Sequence, residues 1–191
     1  MFGDLKKQIE KCRYCEEKFG FEPRPIFWGS QKAKIVQISQ APSYTVHNSG
    51  KPFTDMSGKT LKQDWYQISE EEFYNHENFF IGAVAHCYPG KDKNGNDRQP
   101  PTICFEKWVE KEIQLVENEI YIIIGAKAAS RFFPGEKFED LVFKNNVWNG
   151  KLTIVLPHPS PLNKKWIKDR PEFLEKRMVE VREIINQVLK R

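Results

Sequence analysis

Long hydrophobic runs are missing from this chain of 191 residues. No apolar stretch approaches the roughly 18 residues that a membrane-spanning helix needs. Met1 to Lys7 also lacks the apolar core of a secretory signal, so a cytoplasmic protein with no membrane partner is expected. Cysteine is scarce, at four residues. No disulfide scaffold is needed, because a chain of this length buries about 70% of its unfolded surface in an ordinary core. Repeats and low-complexity tracts are absent, which leaves one domain over residues 1–191. A large excess of either charge is absent too: 30 basic against 26 acidic residues give +4 and a pI near 8.8, which permits a polyanionic partner without demanding one. With 29% charged and 39% hydrophobic residues and a mean hydropathy of −0.64, the composition is that of a soluble folded protein.

Four short apolar runs read as buried strands: Lys34 to Ser39, Phe79 to Ala85, Ile120 to Ile124 and Leu152 to Leu156. Helical patterns alternate with them. Asp4 to Lys18 reads as one helix capped by Asp4 and ended by Gly20. Ser57 reads as the cap of a helix reaching Trp65, Ser69 with Glu72 as a capping box, and Thr102 as the cap of a helix to Asn118. Gly125 to Ala129 opens another helix with small residues, and Pro171 to Lys190 carries a packing face of Leu174, Met178, Val181, Ile185 and Val188. Alternating strands and helices predict a three-layer α/β/α sandwich with a mostly parallel sheet of about four strands.

Three of the strands empty into polar loops, and in open α/β sheets ligands bind outside the carboxyl ends of the strands. After the first come Ser39-Gln40-Ala41-Pro42-Ser43, then His47, then Gly50-Lys51-Pro52-Phe53-Thr54-Asp55. The loop combines an amide, an imidazole, an aromatic ring beside a proline, and a carboxylate. After the fourth strand, His158 stands between two prolines with Ser160 close behind. His76 and His86 carry weaker signals, one after a helix end and the other beside a cysteine. Lys91, Lys93, Arg98, Lys164, Lys165 and Lys168, with Tyr88 and Trp166 among them, suit phosphate neutralisation plus base stacking. Cys12 and Cys15 form a C-x2-C pair, and Cys87 and Cys104 flank the loop after the second strand. Four thiolates at this spacing suit zinc or a four-iron four-sulfur cluster, and four unrelated buried thiols are the alternative.

In order and spacing these segments resemble the uracil-DNA glycosylase superfamily, nearest its iron-sulfur branch, family four, from Cys12 to about Asn163. Ser39 to Ser43 sits where that branch has Gly-Glu-Ala-Pro-Gly, Gly50 to Phe53 where it has Gly-Arg-Pro-Phe, and His158-Pro159-Ser160 matches its second catalytic motif. The Cys87 to Cys104 segment resembles its Cys-Arg-Pro-Pro loop, and Ile123 to Ala126 its Ala-Leu-Gly-Ala turn. The resemblance implies a DNA glycosylase that hydrolyses the N-glycosidic bond of a flipped, damaged base. Phe53 would stack on that base, Gln40, Ala41 and Pro42 would line its pocket, and His158 would donate to the base oxygen. Asp55, similar to an aspartate of a neighbouring branch, would orient water or steady the sugar cation. Ser160 would press on the DNA backbone and Leu162 would fill the gap. Cys12, Cys15, Cys87 and Cys104 would hold the cluster, and the chain would act as a monomer on DNA.

The chain also departs from that pattern. Gln40 replaces a glutamate, Val46 and His47 replace an acidic pair, and the asparagine that reads uracil falls at Ala83. His47 or Gln40 would then take part in recognition, and the base could be uracil or another deaminated one. A glycosylase-fold protein that binds nucleic acid without turnover is the alternative.

Overall fold

The computed structural model describes residues 1–190, apart from the side chain of Phe19. The expected first helix is two, α1 (Phe2–Glu10) and α2 (Tyr14–Phe19). Arg13 makes the break: its guanidinium takes the carbonyls of Glu10 and Cys12 at 3.3 and 3.1 Å, satisfying groups that a continuing helix would have used. The C-x2-C pair thus spans a corner between helices.

Strand β1 (Ile35–Ser39) is buried along its whole length. It leads into α3 (Tyr44–Ser49), then α4 (Met56–Lys59), which widens into a π-helical stretch over Thr60–Tyr66. The short α5 (Glu70–Tyr74) carries the predicted Ser69–Glu72 capping box and precedes β2 (Phe79–Ala83). After the long loop come α6 (Thr102–Cys104), a π-helical stretch over Phe105–Val109, and α7 (Glu110–Gln114); Pro101, not Thr102, occupies the cap position. Strand β3 (Ile120–Ile124), α8 (Ala126–Phe132), α9 (Phe138–Val142), β4 (Asn146–Trp148) and β5 (Lys151–Leu156) follow. The chain closes with α10 (Lys164–Lys168), a π-helical stretch over Phe173–Arg177 and α11 (Met178–Leu189).

The sheet has five strands in the order β2-β1-β3-β5-β4, parallel except for β4, which pairs antiparallel with β5. The chain runs from β1 outward to β2, then returns to the far side of β1 for β3. That reversal leaves the crevice at the strand ends where α/β proteins seat ligands. Side-chain alternation sends Phe79 and Gln37 to one face, where Tyr66 stacks on Phe79 and donates to Gln37 at 2.7 Å. The π-helical stretch and the last helix pack there, with Trp65 against Phe173. The other face takes α1 through Phe2 on Phe80, and α8 through Phe132, which touches Phe105 and Trp148. Helices on both faces of a mostly parallel sheet complete the three-layer sandwich.

The expected packing face of the last helix is corrected at its start. Leu174 is 40% exposed and Phe173 is buried in its place, because the wider π-helical turn shifts the phase by one residue before Met178, Val181, Ile185 and Val188 resume the stripe. Buried Arg177 in that turn is satisfied by the carbonyls of Val142 and Lys144 and by Asn145 and Glu180. At the edge of the sheet, Trp28 bridges antiparallel to Ile81 and accepts its amide at 2.8 Å. No helix among the described residues is long and apolar enough to cross a membrane.

Candidate functional site

A cleft of about 200 Å³ opens at the carboxyl ends of β1, β2 and β5. From β1, Gln40, Ala41 and Pro42 form one wall, and Ile81, Gly82 and Ala83 of β2 line another. Phe53 and Asp55 come from the segment before α4, and His158 from the loop after β5. Phe53 and His158, more than one hundred residues apart in sequence, therefore share one cavity.

The wall carrying Phe53 is held by backbone. Ser43 caps α3 by accepting the Val46 amide at 3.3 Å, and Gly50 ends the helix at φ +71°, turning the chain back toward the cleft. Phe53 itself has φ +54°, an outlier for a bulky residue that persists only where its surroundings fix it. Tyr74, itself held by two lysines, and Gly58 do so. The Tyr74 hydroxyl lies 2.9 and 3.0 Å from the carbonyl oxygens of Pro52 and Phe53 and donates to the pair. Buried Lys62, paired with Glu70, donates to the same hydroxyl at 3.2 Å, and the ammonium of Lys51 rests 3.7 Å from the Tyr74 ring centre. Gly58 packs so closely on Phe53 that a methyl group there would stand 1.9 Å from the Phe53 oxygen.

Asp55, not Ser57, caps α4: its Oδ1 accepts the Gly58 amide at 3.0 Å, which ties the carboxylate to the same close approach. Ser57 lines the cleft instead.

His158 is set by its own loop. The Ser160 amide donates to Nδ1 at 3.2 Å, and Asn163 donates to the His158 carbonyl at 2.7 Å. A ring nitrogen that accepts is unprotonated, so the neutral ring carries its proton on Nε2. Burial lowers the pKa below the usual 6.5, and the charge of Asp55 opposes that shift in part. At neutral pH the cleft thus holds an uncharged imidazole donor beside a carboxylate. Gly125 packs beside it, and its φ of +91°, not lack of space, calls for glycine: a methyl group there would stand 3.7 Å from the His158 Cβ, an ordinary van der Waals contact.

Of the residues singled out from sequence, Gln40, Ala41, Pro42, Phe53, Asp55, Ala83 and His158 line this cleft. His47 lies on α3 outside the lining, its ring 5.8 Å from that of Tyr88 and its buried Nδ1 without a hydrogen-bond partner. Ser160 caps the turn after His158 by accepting the Leu162 amide at 3.2 Å, and Leu162 stands 92% exposed. Asp97 and Arg98 also line the cleft, which the sequence placed only in a basic loop. They arrive there because Asp92 accepts the amides of Asn94 and Asn96, Lys91 bridges Asp97, and the Arg98 amide returns to Gly90 at 2.9 Å. Tyr88 anchors this hairpin through a 2.9 Å bond to Asp97. An Asp four residues before an Asn, with Gly95 between, was the available signal for that turn.

The four cysteines form no disulfide. Burial first, and the neighbouring thiols Cys104, Cys15 and Cys12 next, push Cys87 up to about 12. Burial likewise pushes Cys104 to about 12, with Cys15 and Cys12 adding to it. Cys12 stands between α1 and α2, Cys15 on α2, Cys87 in the loop after β2 and Cys104 at the end of α6. Among the described residues, no three metal-binding side chains yet surround a common point. The donor set still fits a thiolate-held metal, because backbone N–H groups already favour two of the sulfurs: His86 donates to Cys104 at 3.4 Å, and Arg24 to Cys87.

A family model described as the uracil DNA glycosylase superfamily matches residues 26–182. Three similar proteins are named type-4 uracil-DNA glycosylase. That of Sulfurisphaera tokodaii is 24% identical over 94% of this chain and 83% of its own length. The Thermotoga maritima protein is 22% identical over 83% and 81%, and the Archaeoglobus fulgidus protein 23% identical over 82% and 80%. The matched span holds β1 to β5 and every lining residue of the cleft, and the chain belongs to the uracil-DNA glycosylase superfamily, as a divergent member related to its family-four branch.

Proposed function

We propose that this chain is a DNA N-glycosylase that removes a deaminated base, uracil or a relative of it, from DNA as the first step of base-excision repair. The observation that carries this reading is the convergence of Phe53, Asp55 and His158 on one cleft. A base turned out of the helix stacks on Phe53, with Gln40, Ala41 and Pro42 along its edge. The bond between the sugar C1′ and the base nitrogen breaks with both electrons going to the base. The Nε2–H of His158 donates to the base oxygen on which that charge collects, an interaction that strengthens toward the transition state. Asp55 faces the positive charge left on the sugar and orients the water whose oxygen bonds to C1′. One proton of that water ends on the departing base. His47, behind Tyr88, supports this wall from α3.

Ser160 braces the DNA backbone, and Leu162 enters the stack where the base has left. Cys12, Cys15, Cys87 and Cys104 hold a four-iron four-sulfur cluster, which when bound supplies a rigid tether between the N-terminal helices and the loop after β2. Zinc in the same thiolates would do the same mechanical job. Residues 1–191 act as a single domain, as a monomer in the cytoplasm.

Base release from oligonucleotides carrying uracil, hypoxanthine or xanthine, read as alkali-labile sites in single- and double-stranded DNA, tests the reading; no release from any of them overturns it. A second reading, a nucleic-acid-binding protein without turnover, is favoured by one observation. The wall where the family places its base-reading asparagine is the methyl group of Ala83. Tight, salt-sensitive DNA binding with no release supports that alternative.

A further inference from the structure

His86 and Glu112 are buried, at 2% and 1% exposure, and neither lines the cleft. Nε2 of His86 lies 3.1 Å from the Glu112 carboxylate. The contact is out of line for a hydrogen bond, and neither the ring nitrogens nor the carboxylate oxygens have a hydrogen-bond partner among the described residues. A carboxylate is costly to bury, and an apolar pair of the same size would fill the space at less cost. The pair therefore calls for a reason beyond packing.

Its surroundings supply one. His86 directly precedes Cys87, and its own amide donates to Sγ of Cys104 at 3.4 Å. Its carbonyl accepts the Ile26 amide at 2.9 Å, and the Phe27 ring centre lies 4.8 Å from that of the imidazole. Lys6 of α1 rests 5.4 Å from the centre of the same Phe27 ring, so the helix ahead of Cys12 joins the assembly. Glu112 reaches in from α7, eight residues after Cys104. In a regular α-helix that spacing leaves two side chains about 80° apart around the axis. The π-helical stretch over Phe105–Val109 absorbs one residue and brings them close to one face, a distortion of the kind that functional sites keep.

We propose that Glu112 is a positioning residue for a metal held by the four cysteines: through His86 it fixes the loop after β2 against α6, and with it the separation of Cys87 from Cys104. The inference rests on the metal reading of the cysteines and is independent of base release. Groups behind a metal's ligands set the ligands' orientation, and losing one typically costs about 10- to 100-fold in metal affinity.

The test is the rate at which purified, metal-loaded protein gives up iron or zinc to a coloured chelator, read beside the melting temperature of the metal-free form. His86→Leu/Glu112→Leu removes the pair without leaving either group buried alone, so the metal-free fold should melt at or above the wild-type temperature. Metal release should nevertheless be at least about tenfold faster. Glu112→Gln keeps the shape and one oxygen facing Nε2, and should restore release to near the wild-type rate. Ile113→Val, fully buried on the same helix, is the control: it lowers the melting temperature without touching the pair, and its release should stay near wild type. For an iron-sulfur cluster, the iron–thiolate stretching bands in resonance Raman should also shift in the double variant, because the His86 amide no longer meets Cys104 in the same way. A double variant that holds its metal as long as wild type overturns the inference. So does one that fails to fold, or whose release quickens no more than that of Ile113→Val, since the pair is then a support of the fold alone. Release from Glu112→Gln as fast as from the double variant overturns it as well. Wild-type protein that takes up neither zinc nor, on anaerobic reconstitution with iron and sulfide, a cluster would overturn the metal reading and this inference together, and leave base release to its own test.

Discussion

Ser160 donates its amide to Nδ1 of His158 across 3.2 Å, a local bond that leaves the ring proton on the nitrogen available to the cleft. Burial lowers the ring's pKa and the charge of Asp55 raises it, so titration of His158 by NMR should give a midpoint below 6.5. Asp55→Asn should lower the midpoint further, because it removes the opposing charge. Base release should hold level as pH falls through 6.5 and decline only below the depressed value. The unfolded chain takes up this proton first, so His158 withdraws stability as pH drops from the unfolded value toward the folded one. A midpoint at or above 6.5 contradicts the assignment.

His158→Ala should slow base release at least tenfold, about 1.4 kcal/mol of barrier. Single-turnover rates at saturating DNA isolate the chemical step, and a rate near wild type would retire His158 from it.

Asp55 has two tasks that substitution separates. Asn caps helices as well as Asp does, whereas Ala leaves the Gly58 amide unsatisfied at a cost of about 1 kcal/mol. Asp55→Asn is therefore expected to keep the melting temperature and lose at least tenfold in rate, and Asp55→Ala to lose both. Equal rates for Asp55→Asn and wild type would reduce Asp55 to a cap.

Gly58→Ala places a methyl group 1.9 Å from the Phe53 oxygen, where backbone and not a yielding side chain stands in the way. Overpacking of this kind costs about 1–3 kcal/mol, and it should displace Phe53 and weaken binding of abasic-analogue DNA as well. Thermal melts and anisotropy read the two effects.

Leu162→Ala should leave stability unchanged, since the side chain is 92% exposed, yet reduce base release from duplex more than from single strands. Equal losses on both would remove Leu162 from the role of wedge.

Purified protein should be brown and contain iron and sulfide, and Cys12→Ser/Cys15→Ser should lose both and expose the segment around α1 and α2 to limited proteolysis. A colourless preparation with bound zinc assigns zinc instead, and a metal-free one leaves four thiols.

The sequence disclosed the sheet where burial is complete. Strands β2 and β3 are unbroken apolar runs, β1 is interrupted only by Gln37 and β5 closes on Ile154-Val155-Leu156, and the polar loops after β1, β2 and β5 pointed to the cleft by the general rule for α/β sheets. Strand β4 carried no such sign, because three residues with Val147 facing outward make neither a run nor an alternation. Helix phase was hidden at Leu174, where one extra residue per turn overrides a regular pattern, and helix continuity at Arg13, where a side chain competes for carbonyls. Asp97 and Arg98 were recognisable as charged loop residues only. Their place in the cleft depends on a hairpin closed by Asp92 and tied by Tyr88, a tertiary arrangement that no local period encodes.

The Trp28 crossing bears on how copies of this chain meet. By occupying the Ile81 amide at the outer side of β2, it interrupts the row of donors on which a neighbouring molecule would otherwise add a strand. The opposite margin ends in a strand of three residues, too short to template polymerisation. With one margin interrupted and the other short, neither edge offers a long template for sheets of separate copies to fuse.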